Sequence, residues 1–143
     1  MFILYFLVWT LLLYFIHRVA HGFEWASHMD HHNYIYSNSG TSWKWNNLLL
    51  FNDTWLSTID LWVTEVLPTI AFCMITGVWE IAVFYYLWAA LIQEIVEHNS
   101  NFNIFPFLTS GRWHLLHHTD DKVNFGLFIP LWDLMFDTYR RLP

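Results

Sequence analysis

The sequence predicts an all-α integral membrane protein. About three transmembrane helices, one plus a hairpin, carry a cytosolic histidine-rich helical cap that holds a dinuclear metal site. Three observations lead there. Hydrophobic residues make up 56% of the 143 residues and charged residues only 13%, too little charge to cover a soluble globule of this size. Long apolar stretches alternate with polar ones. All nine histidines fall in the polar ones.

The first element runs from Met1 to Ile16 and is apolar or aromatic apart from Thr10. Continued as one helix through Ala20, it reaches about 30 Å, enough to cross a bilayer core. A cleaved signal peptide would need a basic start and a small-residue cleavage site. The first basic residue is Arg18, so a retained helix is expected. From His17 to Thr58 the chain is mixed, with a turn marked by Gly40. Trp43, Trp45 and Trp55 suit the headgroup zone, and this stretch is expected to lie on the membrane.

The second apolar stretch, Ile59 to Val96, is too long for one crossing and about right for two. Thr76-Gly77 is the turn candidate. The expected hairpin has arms from Ile59 to Ile75 and from Val78 to Val96, with Pro68 kinking the first. Glu80 belongs at the hairpin tip. Asp60, Glu65 and Glu94 belong near the opposite interface or facing the protein interior. Glu97 to Pro143 is polar and mixed again, and the whole of 1–143 reads as a single domain. No internal repeat or low-complexity segment is present.

Arg18, Lys44, Arg112, Lys122, Arg140 and Arg141 are all the Lys and Arg in the chain, and all lie in the two polar parts. One helix followed by a hairpin puts both parts on one side, which the positive-inside rule makes cytoplasmic. Aromatics at 21% exclude a disordered chain. A net charge of −6 argues against a nucleic-acid partner. Cys73 is the one cysteine, so no intramolecular disulfide forms.

The histidines form HRVAH (His17, His21), HMDHH (His28, His31, His32), the lone His98, and HLLHH (His114, His117, His118). Residues three and four apart share one helix face. Two such imidazoles can hold one ion, while the adjacent pair in HxxHH diverges and can serve two. Nine imidazoles therefore suit a dinuclear centre better than a mononuclear one. A purely structural network would bury many polar groups for no gain. Imidazole suits Zn, Cu, Fe and Ni. Structural zinc sites close with four ligands, commonly including Cys, and no HExxH protease motif is present. Two irons with open positions could bind and activate O₂ as co-substrate, with zinc possible as purified, and a lipid would reach such a site from within the bilayer.

These residues resemble the fatty acid hydroxylase/sterol desaturase superfamily of integral-membrane non-haem di-iron enzymes. Tyr14 to His21 looks like its YxxHRxxH, and Trp25 to His32 like its WxxHxxHH. His98-Asn99 resembles the central HxN-type element, with Ser100 where that Asn would fall. His114 to His118 matches the last HxxHH. Asn124-Phe125-Gly126 and Trp132 to Tyr139 look like the closing NYG and WDxxFGTY.

The resemblance implies O₂-dependent hydroxylation or desaturation of a lipid. Electrons would come from a separate donor protein, since the chain has no nucleotide or flavin fingerprint. It implies His17, His21, His28, His31, His32, His98, His114, His117 and His118 as ligands. Asn99 and Asn124 would be outer or water-mediated partners, and Asp133 would orient a ligand imidazole. Trp132 and Asp133 also fit a helix-end packing and capping pair, and Tyr139 reads as structural. Asp137 stands where Gly is usual, and Glu94 where some relatives have a further His. One apolar helix precedes HRxxH where relatives usually have more. A compact member, a fragment, or a chain needing a helix partner or homo-oligomer is expected. The lack of a lysine-rich retrieval sequence points to a bacterial inner membrane, or the endoplasmic reticulum in a eukaryotic host.

Overall fold

The computed structural model describes residues 1–38, 42–102 and 109–140. Gly40 lies outside them. Every regular element among the described residues is helical.

Helix α1 (Phe2–Gly22) is a single 21-residue rod, apolar on all sides. Trp9, Leu13 and Tyr14 are buried inside the protein, while Ile3, Leu4, Val8 and Val19 are exposed. A helix apolar all round belongs in a core or a bilayer. Helix α2 (Ala26–Asn38) is polar and packs on α3 and α7. A 3₁₀ turn (Trp45–Leu49) leads to the hairpin. Trp45 and Trp55 are strongly exposed there, while Trp43 donates its indole N–H to the Ala90 carbonyl at 2.8 Å.

The hairpin appears, with shifted ends. Its first arm runs unbroken through α3 (Trp55–Leu61), a π turn (Trp62–Val66) and α4 (Leu67–Thr76). It starts at Trp55 rather than Ile59 because Thr54 caps it, accepting the Ser57 N–H at 3.0 Å. The same hydroxyl donates to Asp30 at 2.9 Å and ties α2 to α3. The second arm runs through α5 (Glu80–Trp88), a π turn (Ala89–Gln93) and α6 (Glu94–Val96). Gly77 closes the first arm at φ 74°, a left-handed conformation that glycine adopts without strain. Glu80 sits exposed just beyond this turn, as expected.

Pro68 does not break its helix. The π turn just before it widens the backbone where the proline ring would otherwise meet the carbonyl four residues earlier.

Phe2–Gly22 and Trp55–Thr76 are each long and apolar enough to cross a membrane. Trp9, Leu13, Leu61, Phe72, Ile81 and Tyr85 belong to the core that joins α1 to both arms. The Trp9 indole N–H donates to Thr69 at 2.9 Å within it. Helices α7 (Arg112–Thr119) and α8 (Leu131–Met135) complete the chain. Trp132 on α8 donates to Thr10 at 3.0 Å and fastens α8 to α1.

Candidate metal centre

Three helices deliver eight of the histidines: the last turns of α1, then α2 and α7. His98 follows α6. The nine separate into two groups whose donor atoms lie within 4.8 Å of one another: His17, His21, His28, His32 and His117, and His31, His98, His114 and His118. Each HxxHH motif splits in the same way. The i, i+4 pair stays together (His28 with His32, His114 with His118), and the middle histidine crosses to the other group. The divergence of adjacent side chains on a helix produces this exchange. His32 and His118 stack at 4.1 Å where the groups meet.

The outer nitrogens decide what the inner ones can do. His17 Nδ1 lies 2.8 Å from the Phe125 carbonyl, and His117 Nδ1 lies 2.8 Å from the Val123 carbonyl. His28 Nδ1 lies 2.9 Å from Asp60 Oδ2. Carbonyls and carboxylates only accept, so each Nδ1 carries the proton and each Nε2 presents a lone pair. The Nε2 atoms of His28 and His117 both lie 2.9 Å from His21 Nε2. One N–H at most can sit among these three atoms. His32 Nε2 is buried with no hydrogen-bond partner. Convergent lone pairs and an orphaned ring nitrogen are what a cation needs. Two nitrogens bound to one ion at 2.0–2.1 Å can be no more than about 4.2 Å apart, so each group would close by roughly half an ångström. The residues present fit two metal ions.

Burial favours neutral, ligating imidazoles. It lowers His31 to about 4, against a smaller upward pull from Asp60. Burial also holds His32, His114, His117 and His118 well below the ordinary histidine value, helped by neighbouring histidines.

The supporting residues work largely through the backbone. Asp133, fully buried, accepts the N–H groups of Phe125 (2.7 Å) and Gly126 (2.9 Å) and the Thr138 hydroxyl (2.8 Å). It reaches His17 only through the Phe125 carbonyl that this grip positions. Burial pushes its carboxyl up, opposed by those hydrogen bonds. Gly126 is required here, because a Cβ would lie 2.6 Å from the Ile129 carbonyl and 2.7 Å from Asp133.

Asn124 bonds the backbone of Arg140 and Trp113, clasping the C-terminal strand of coil against α7. Asn99 bonds Ile95 and Asn101 backbone atoms. Neither Asn side chain has a histidine among these partners. Asp137 takes φ 56°, the left-handed conformation that a glycine there would adopt, so the turn keeps its shape with a different residue. The Tyr139 ring packs tilted against Trp113, centroids 4.7 Å apart.

The hairpin supplies what the motifs did not announce. Asp60, Glu65 and Glu94 are buried and face the histidines across a cavity that Thr64, Gln93 and Glu97 also line. Glu97 Oε1 lies 4.0 Å from His114 Nδ1. The available signal was acidic residues inside an apolar stretch, which said that partners exist without saying which.

The family model described as fatty acid hydroxylase matches residues 2–138. The Delta(7)-sterol 5(6)-desaturase erg3B of Aspergillus fumigatus is 26% identical over 132 residues. That alignment covers 90% of this chain and 36% of the relative, so the chain spans about a third of that protein's length. No solved structure matches the chain significantly.

Proposed function

The chain belongs to the fatty acid hydroxylase family, and from that premise we propose that it is a membrane-bound di-iron oxidoreductase. It hydroxylates, or desaturates, a lipid such as a sterol or fatty acyl chain using O₂. The observation that carries this reading is the pair of convergent histidine groups. All-imidazole donor sets without cysteine suit redox-active iron more than structural zinc. Hydroxylation balances as RH + O₂ + 2 e⁻ + 2 H⁺ → ROH + H₂O. Desaturation consumes the same electrons and protons and releases two waters.

The bound irons would supply O₂ activation at the two histidine groups. The chain's own residues do the rest. The Phe125 and Val123 carbonyls and Asp60 fix the ring orientations of His17, His117 and His28. Leu61 and Leu127 give the cavity its apolar wall, and Glu65, Glu94 and Glu97 give it a polar one. The electrons come from a separate donor protein. Glu80–Val96 joins Phe2–Gly22 and Trp55–Thr76 as a third crossing. With that topology, the basic residues beside the histidines support a cytoplasmic metal site.

A second reading is a metal-binding membrane protein that oxidises no lipid. Among the described residues, Leu61 and Leu127 are the only apolar ones lining the cavity beside the histidines, a poor wall for a hydrocarbon chain. Metal content and Mössbauer spectra of protein purified without oxygen, followed by a lipid screen under ¹⁸O₂, separate the two. Two coupled irons per chain and labelled product, lost in His117→Ala without loss of membrane insertion, support the enzyme. Two metals with no O₂ consumption under any reductant and lipid support the second reading. Full activity of His117→Ala overturns the site.

A further inference from the structure

We propose that the two metal positions are unequal by construction. The five-histidine position binds first and retains its ion, the four-histidine position exchanges, and Asp60 is a positioning residue that widens the difference. This rests on the metal reading above and deepens it.

Three independent observations converge. The first is donor number, five against four. The second is how the rings are held. In the larger group, three outer nitrogens are bonded: His17 to Phe125, His117 to Val123 and His28 to Asp60. In the larger group one outer nitrogen, His21 Nδ1, is buried without a hydrogen-bond partner, whereas in the smaller group both His114 Nδ1 and His118 Nδ1 are. The carboxylate nearest His114, on Glu97, stands off at 4.0 Å. A carboxylate bonded to the outer nitrogen aims the ring and makes it a stronger donor. Asp60 does this for His28 at 2.9 Å with both side chains buried, whereas Glu97 at its distance does not.

The third observation is access. A second cavity, bounded by Tyr34, Asp53 and Ser57, adjoins the main one and shares His31, Asn52 and Glu94 with it. His31 belongs to the smaller group and is the one histidine on that cavity's wall. The main cavity touches both positions, whereas an ion or small molecule arriving through the second meets the four-histidine position first.

The test is an anaerobic titration of the metal-free full chain in detergent with Co²⁺, read by its visible bands, which differ between coordination numbers. Two steps are expected, at least about tenfold apart, the first with the five-coordinate spectrum. Asp60→Asn should weaken the first step roughly 10–100-fold and leave the second in place. His31→Ala should remove the second step and leave the first.

A single step with two equivalent ions overturns the inference while leaving the metal reading intact. So does equal weakening of both steps by Asp60→Asn, or loss of the first step in His31→Ala. No binding of either ion overturns the metal reading itself. If Asp60→Asn fails to fold, His31→Ala and His21→Ala still decide: the first must spare the tight step, and the second must weaken it and replace its five-coordinate spectrum with a four-coordinate one. A purely structural role for Asp60 would lower thermal stability without changing the ratio of the two affinities.

Discussion

Asp133→Asn isolates the grip behind His17. The carboxylate accepts from Phe125 N and Thr138 Oγ1 through one oxygen and from Gly126 N through the other. Asparagine keeps the first oxygen but turns an NH₂ group toward the Gly126 N–H, so two donors face each other. One charge-assisted bond is lost and a buried N–H is left unsatisfied, a cost of about 2–4 kcal/mol. For a chain of this size each kcal/mol moves Tm by about 3 °C, so a fall of roughly 6–12 °C is expected. Cys73 provides the assay. It is the sole cysteine and fully buried, so a thiol-reactive dye reports its exposure as the detergent-solubilised protein is heated. The loosened Phe125 carbonyl should also release His17, and bound metal should fall. A Tm within about 2 °C of the parent, with unchanged metal content, would refute the argument that Asp133 holds this turn.

Gly126→Ala should be more damaging, since its Cβ would be pressed against a carbonyl and against Asp133; unaltered thermal stability would contradict that geometry. At Asp137, φ 56° predicts that Gly is tolerated and Ala costs about 1 kcal/mol, a ranking read from the same dye assay. The metal-free protein should be acid-sensitive. The folded-state values of His31, His32, His114, His117 and His118 lie below the ordinary 6.5, so only the unfolded chain takes up protons as pH drops. Stability from these groups is constant above about pH 6.5 and declines toward pH 4; a flat Tm between pH 7 and 5 would disprove it.

Hydropathy and spacing made much of this legible. The hairpin and its Gly77 turn followed from the length of one apolar stretch. That the adjacent histidines of each HxxHH can serve different ions followed from helical periodicity, whereas which of the two crosses, His31 and His117, came only from the packing of α1, α2 and α7. What stayed hidden has physical reasons. The holders of His17 and His117 are peptide carbonyls, which every residue carries, so no side chain marks them. Asp60 stood out as an acid in an apolar run, yet its partner His28 depends on how α2 lies against α3. The π turns at Trp62–Val66 and Ala89–Gln93 leave no composition trace, and Pro68 was the one hint. Asn124 was marked by its motif, but that its side chain bonds the backbone of Arg140 and Trp113 could be seen only in the fold.

The exchange of middle histidines would make each bound ion a clasp between the segments on either side of the hairpin. The segment before the hairpin supplies four donors to one ion and passes His31 to the other. The segment after it supplies three and passes His117 back. Each filled position therefore ties shut the long loop containing the whole hairpin, as a disulfide would, and such ties act mainly by restricting the unfolded chain. A single cut at the exposed hairpin tip should lower the melting temperature little while both ions are in place and far more once a chelator removes them.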